Sequence, residues 1–238
     1  MTALTDEIGA TSAQTVAFAH EYGLQTVELR YKPGTNKEYV TLRDADIQAD
    51  VTNLLNDGIK ISCLNAGLRL DDPTRAVRCA QLAGADKLRI FTGARVADPA
   101  AELPRIATLI AGIAAEAEKQ KLTLLIENHP ESNVSTGAEM AALMKLTPSK
   151  SVAIEWAPRV ADDFPQGYAL LPKKRIQHVR AVLKPGVAQL DWKAILLALD
   201  RDGFSGRLGL ETGEPGSASA AAAHTSMDEL QHVVREVS

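Results

Sequence analysis

Residues 87–129 read KLRIFTGARVADPAAELPRIATLIAGIAAEAEKQKLTLLIENH. A short run rich in β-forming residues, Lys87–Phe91, precedes a long stretch, Pro99–Lys119, whose apolar residues recur every three or four positions. A second short run, Thr123–Glu127, closes the segment. Two short strands flanking one helix make a βαβ unit, in which the strands run parallel and the helix covers the sheet. Asp98-Pro99 punctuates the helix start: the carboxylate can accept a free backbone N–H, and proline at the first helical position lacks an N–H that would go unused.

The same alternation extends in both directions. Strands are predicted at Leu4–Ile8, Thr26–Arg30, Lys60–Leu64, Lys87–Phe91, Thr123–Glu127, Ser151–Glu155, Ile176–Arg180 and Arg207–Glu211. Between and after them, helices are predicted at Ser12–Tyr22, Asp44–Asp57, Pro73–Ala83, Pro99–Lys119, Gly137–Lys145, Pro165–Leu171, Trp192–Asp200 and Ala221–Val237. Asp72 repeats the capping signal before Pro73, and Gly23, Gly58, Gly84 and Gly203 stand where helices should end. Eight strand–helix pairs in a chain of 238 residues, 45% of them hydrophobic, predict an α/β fold: one (β/α)8 TIM barrel domain spanning residues 1–238. An open doubly wound sheet usually has fewer strands and often a Gly-rich phosphate loop, and no GxGxxG occurs here. Gly213–Ala223, rich in Gly, Ser and Ala, is read as a loop after the last strand, on the face where barrel loops carry function.

The formal net charge of −4, with Lys and Arg scattered, argues against a nucleic-acid partner and leaves a small neutral or anionic metabolite. Cys63 and Cys79 are too few for a disulfide framework or a thiolate metal cluster and are read as buried free thiols. Met1–Ala10 holds Asp6 and Glu7 and no basic-then-apolar pattern, so neither signal peptide nor membrane anchor is expected, and the location expected is cytoplasmic.

In a barrel of this kind the C-terminal strand ends converge on one pocket. Those positions are polar here: Asp6 and Glu7, Glu28 and Arg30, Asn65, Arg89, Glu127-Asn128-His129, Glu155, His178 and Arg180, and Glu211. Charges of both signs at so many strand ends are costly to bury without a function.

Thr5-Asp6-Glu7-Ile8-Gly9, Val27-Glu28-Leu29-Arg30, Leu88-Arg89-Ile90-Phe91 and Ile126-Glu127-Asn128-His129 resemble, in order and spacing, successive strand motifs of the sugar phosphate isomerase/epimerase family. That family is part of the xylose isomerase-like TIM barrel superfamily. The resemblance implies a divalent metal held by a Glu on strand five, an Asp on strand six, a His on strand seven and a Glu on strand eight, with both glutamates also moving protons. Glu127 and Glu211 match. Where the family has aspartate this chain has Ala157, within Trp156-Ala157-Pro158, and where it has the histidine it has Arg180. A guanidinium is permanently cationic and cannot ligate a divalent ion.

Three readings follow. In the first, Glu127 and Glu211 act as acid and base on a sugar or sugar acid, Arg180 stabilises the enediolate with help from His129 or His178, and no cofactor is needed. Glu28, Asn65, Arg89, His129, Glu155 and His178 are the candidate substrate-binding residues. In the second, the barrel binds a carbohydrate-like ligand without turning it over. The third keeps a divalent metal (Mn, Mg, Co or Zn) on a rearranged set, Glu127, Glu155, His178 and Glu211.

Endonuclease activity is not expected, because that branch of the superfamily binds metals with many histidines and this chain has five. Relatives of this kind are often oligomers, and a homodimer is the assembly considered. Trp156 and Phe91 are read as core aromatics before sugar-stacking surfaces, and Tyr31-Lys32-Pro33 as within reach of either the pocket or a neighbouring subunit. Lys173-Lys174-Arg175 is read as a solvated turn at the opposite end of the barrel.

Overall fold

The computed structural model describes residues 1–67, 73–159, 163–183, 190–213 and 219–237. Its eight strands are β1 (Thr2–Ala3), β2 (Thr26–Leu29), β3 (Lys60–Asn65), β4 (Lys87–Ile90), β5 (Thr123–Glu127), β6 (Val152–Trp156), β7 (Ile176–Val182) and β8 (Arg207–Glu211). All neighbours are parallel, in the order β1-β8-β7-β6-β5-β4-β3-β2. One parallel bridge, Leu4 to Glu28, brings the β1 and β2 edges together and nearly closes the barrel.

The main surrounding helices are α2 (Ser12–Glu21), α3 (Asp44–Asn56), α4 (Pro73–Leu82), α5 (Pro99–Lys119), α6 (Gly137–Leu146), α7 (Gln166–Leu170), α8 (Trp192–Arg201) and α9 (Ser219–Val237). Between this ring and the barrel lies an apolar core, for example Leu88, Ile90, Leu124, Ile126 and Ile154 against Ile106, Ile110 and Leu143, all 1% exposed or less. Asp98 caps α5 by accepting from Ala101 N at 3.2 Å. The four predicted stop glycines all take left-handed φ, between 63° and 78°. Asp72 lies outside the described residues.

The first strand departs from expectation. The strand is Thr2–Ala3, with Leu4 still extended after it, and Thr5–Ile8, predicted to be strand, forms a single helical turn, α1. Consecutive residues of a strand point to opposite faces, whereas Asp6 and Glu7 both reach Arg30 Nη2, at 2.6 and 2.7 Å. A helical turn lets both carboxylates clasp one guanidinium across the barrel seam.

Two smaller expectations are corrected. The alanines at 220–223, expected in the Gly213–Ala223 loop, belong to α9, which starts at Ser219, as the high helix propensity of alanine favours; residues 214–218 lie outside the described residues. Lys174 is exposed, as expected, but Lys173 and Arg175 are partly buried and bonded: Lys173 donates to the Tyr168 and Leu171 carbonyls, and Arg175 to those of Met144, Ser149 and Val152. These bonds tie the turn to backbone carbonyls of α6, α7, β6 and the chain between them. Cys63 and Cys79 are buried free thiols, as expected. Among the described residues no helix is long and apolar enough to cross a membrane.

Candidate active site

At the C-terminal ends of the strands a cavity of about 160 Å³ is lined by three guanidiniums, Arg30, Arg89 and Arg159, and three carboxylates, Glu38, Glu127 and Glu211. Tyr31, Phe91, His129 and Gly67 complete it.

Glu127, at the end of β5, is 1% exposed. Its Oε1 accepts from Arg159 Nη2 at 2.5 Å and its Oε2 faces Arg89 Nε at 3.1 Å. Burial raises its pKa; Arg89 and Arg159 oppose the rise, while Glu155 and Glu211 add to it, and the net displacement is upward. Glu211, at the end of β8, stands among guanidiniums without a close bond to any: Arg159 at 3.6 Å, Arg180 and Arg30 each at 3.8 Å. Burial alone would raise its pKa as well, but Arg159, Arg180 and Arg30 together outweigh it and hold Glu211 below the ordinary carboxylate value. Glu127 is therefore the more readily protonated of the pair. Half-buried His129 packs its ring on Phe91 at 5.1 Å between centroids, and burial, with Arg159, depresses its pKa. The Arg89 guanidinium carbon also lies over the Phe91 ring, 4.2 Å from its centroid.

Beneath the cavity lies a second, fully buried polar layer. Arg180, 1% exposed, donates from Nε to Glu155 Oε1 at 2.9 Å and from Nη2 to Glu28 Oε2 at 2.6 Å and Asn65 Oδ1 at 3.1 Å. Asn65 also donates to Glu28 Oε2 at 3.0 Å and accepts from Arg89 Nε at 2.9 Å, which links the two layers. His178 Nε2 lies 3.3 Å from Glu28 Oε1. Burial would raise the Glu28 pKa, but Arg180 and His178 more than offset it and hold it well below the usual carboxylate range.

Gly209 of β8 is what lets this layer pack so closely. A Cβ there would lie 2.5 Å from His178 Nε2, 2.6 Å from Glu28 Oε1 and 3.0 Å from Arg180 Nη1. Gly209→Ala should therefore cost about 1–3 kcal/mol, the usual range for overpacking. A urea midpoint equal to that of the parent would refute this.

The sequence-derived candidates thus separate by depth. Glu127, Glu211, Arg89 and His129 line the cavity; Glu28, Asn65, Glu155, His178 and Arg180 do not. His178, expected on the active face, is fully buried, because it precedes Arg180 by two residues on the same inward face of β7 and so lies one layer deeper. Arg180 was expected at the substrate and instead joins Glu28 to Glu155. It also lies 2.6 Å from Glu155 Oε1 through Nη2 and 3.8 Å from Glu211, and makes no ion pair with Glu127 among the described residues. Trp156 is core, packed on Tyr168 at 4.8 Å, while Phe91 and Tyr31 line the cavity. Arg159 and Glu38 were not foreseen. Arg159 follows β6, and Glu38 lies just before a 3₁₀ turn, Tyr39–Thr41, beyond the strand-end positions on which the expectation rested.

A divalent ion does not fit these residues. Both oxygens of Glu127 are engaged by guanidiniums, and Arg159 and Arg180 bring fixed positive charge to Glu211. Ala157 offers no side-chain donor; its backbone is clamped by the Asn128 amide, with bonds of 2.9 and 2.8 Å. In the rearranged set, Glu155 is held by Arg180, and His178 faces Glu28 instead of the cavity. Among the described residues no group of three or more His, Cys, Asp or Glu side chains is arranged to hold a metal.

Residues 16–233 match the xylose isomerase-like TIM barrel family. The chain belongs to this family. Solved barrels agree in fold across its length. A 3-keto-D-glucoside 4-epimerase from E. coli superposes with a TM-score of 0.75 at 13% identity, covering 98% of both chains. A xylose isomerase-like barrel from Mycobacterium smegmatis, in complex with magnesium, gives 0.73 at 13% identity, covering 100% of this chain and 97% of that one. An L-ribulose 3-epimerase gives 0.72 at 17% identity, covering 94% and 86%. No curated protein matches the sequence. At such identities the likeness speaks to the fold, and function must be argued from the site.

Proposed function

We propose that this xylose isomerase-like barrel is an isomerase or epimerase of a small carbohydrate-like hydroxy-carbonyl compound, a sugar or sugar acid, acting by proton transfer between Glu211 and Glu127. The observation that carries the reading is a pair of carboxylates facing one cavity with their pKa values displaced in opposite directions, which divides base from acid. Glu211, ionised and with no close side-chain hydrogen bond among the described residues, takes a proton from the carbon beside the carbonyl. The C–H electron pair becomes a C=C bond, the carbonyl π pair moves onto oxygen, and the cationic lining stabilises the resulting enediolate. Glu127, the more readily protonated group, returns a proton. In an epimerisation it goes to the opposite face of the same carbon, and exchange with solvent resets both residues. In an isomerisation it goes to the enediolate oxygen; Glu127 then takes the proton of the neighbouring hydroxyl while Glu211 protonates the former carbonyl carbon, which restores both residues. Arg89, His129, Phe91 and Tyr31 position the substrate.

The test is solvent exchange. With small aldoses, ketoses and their acids in D2O, proton NMR should show deuterium entering at the carbon beside the carbonyl of at least one compound. A specific observation favours a second reading, a binding barrel: both Glu127 oxygens are already engaged. Compounds that raise the melting temperature but never exchange would decide for it.

A further inference from the structure

We infer that Arg159 is the built-in cation of this site, a guanidinium fixed between Glu127 and Glu211 in the place a divalent ion would take, and contacting the reacting oxygen of the substrate. Among the described residues Arg159 alone has ion-pair contacts to both glutamates, 2.5 Å to Glu127 and 3.6 Å to Glu211. Arg89 reaches Glu127, and Arg30 and Arg180 reach Glu211, but none of these bridges the pair.

The chain around Arg159 holds it in place. Ala157 is clamped through its backbone by Asn128, and Arg159 N donates to Asp163 Oδ2 at 2.7 Å, so both ends of the short segment carrying the guanidinium are anchored. The side chain is 15% exposed and lines the cavity. Its Nε is buried without a hydrogen-bond partner among the described residues. A buried N–H donor left unbonded beside a ligand cavity is available to an oxygen of that ligand. A guanidinium already fixed in the site needs no reorganisation as negative charge develops on that oxygen. It is also the foremost of the guanidiniums that keep Glu211 ionised.

The contact to substrate rests on the proton-transfer reading above; the displacement of a metal does not. The experiment separates them. The purified protein, incubated with Mn, Mg, Co or Zn and analysed by elemental mass spectrometry, should carry no stoichiometric metal, and chelator should leave its melting temperature unchanged. Arg159→Ala should take up free guanidinium: millimolar guanidinium chloride should raise its melting temperature relative to equimolar NaCl, and should not raise that of the parent. If a substrate is in hand, Arg159→Ala should lose about 10²–10³-fold in exchange rate. Guanidinium should restore at least tenfold of that loss, and Arg159→Lys should keep more activity than Arg159→Ala. Stoichiometric metal in the parent protein, or Arg159→Ala indifferent to guanidinium, would overturn the built-in cation. Guanidinium uptake by a protein that exchanges no compound would leave the cation standing and overturn the isomerase reading.

Discussion

Arg180→Met should lower stability by about 3–5 kcal/mol, roughly 6–20 °C in melting temperature for a chain of this length. Arg180 is 1% exposed and is the shared ion-pair partner of Glu28 and Glu155, both fully buried. Methionine fills much of the same volume but leaves these carboxylates without their cation, and a buried unpaired charge costs more than the ion pair itself contributes. The cost should therefore belong to the charge and not to the packing. Adding Glu28→Gln and Glu155→Gln to Arg180→Met should recover a large part of the loss. The pH dependence follows from Glu28, whose folded pKa is depressed. The stability this group contributes is present above its ordinary value of about 4.3 and is lost as pH falls towards the folded value. The gap between parent and Arg180→Met should thus narrow on acidification: without Arg180 the buried Glu28 takes up a proton readily and sheds its penalty, whereas in the parent it stays ionised and its contribution fades only below about pH 4.3. Calorimetry between pH 4 and 8 checks this; a gap under about 2 °C at neutral pH would show that Arg180 does not hold the layer together.

The barrel was legible because its evidence is periodic. Runs of β-formers and helical repeats recur along the whole chain, and seven of the eight predicted strands lie within one or two residues of their observed bounds. The first strand failed where a tertiary demand, two adjacent carboxylates on one guanidinium, overrode local pattern. At the site, strand-end residues were readable but their depth was not, except by alternation. That rule places Glu155 one layer below Ala157, and applied to β7 it would have put His178 below Arg180 in the same way. Arg159 was missed because it lies in irregular chain, three residues past the end of β6, where no repeat points. One signal was present all the same: Glu127 and Glu211 are retained while Ala157 supplies no donor, which leaves two converging carboxylates in want of a cation from nearby.

Glu211→Gln and Glu127→Gln should each reduce solvent exchange about 10²–10⁴-fold, the usual worth of a positioned acid or base, and their pH profiles should distinguish the two roles. In the parent, activity requires Glu211 ionised and Glu127 protonated. The rate should rise with pH through the depressed pKa of Glu211 and fall through the elevated pKa of Glu127, giving a bell whose plateau lies between them. Glutamine has the shape of the protonated acid and no titration. Residual activity in Glu211→Gln should therefore lack the acid limb, and in Glu127→Gln the alkaline one. Arg159→Lys supplies an independent check on the same limb: a lysine ammonium lacks the guanidinium fork that spans the pair, so Glu211 should lose part of the field that depresses it. Its acid limb should then move to higher pH. If both glutamine variants exchange at rates within threefold of the parent, neither carboxylate moves the proton. If the two limbs disappear from the opposite variants, the cavity still does the chemistry, with Glu127 as base and Glu211 as acid.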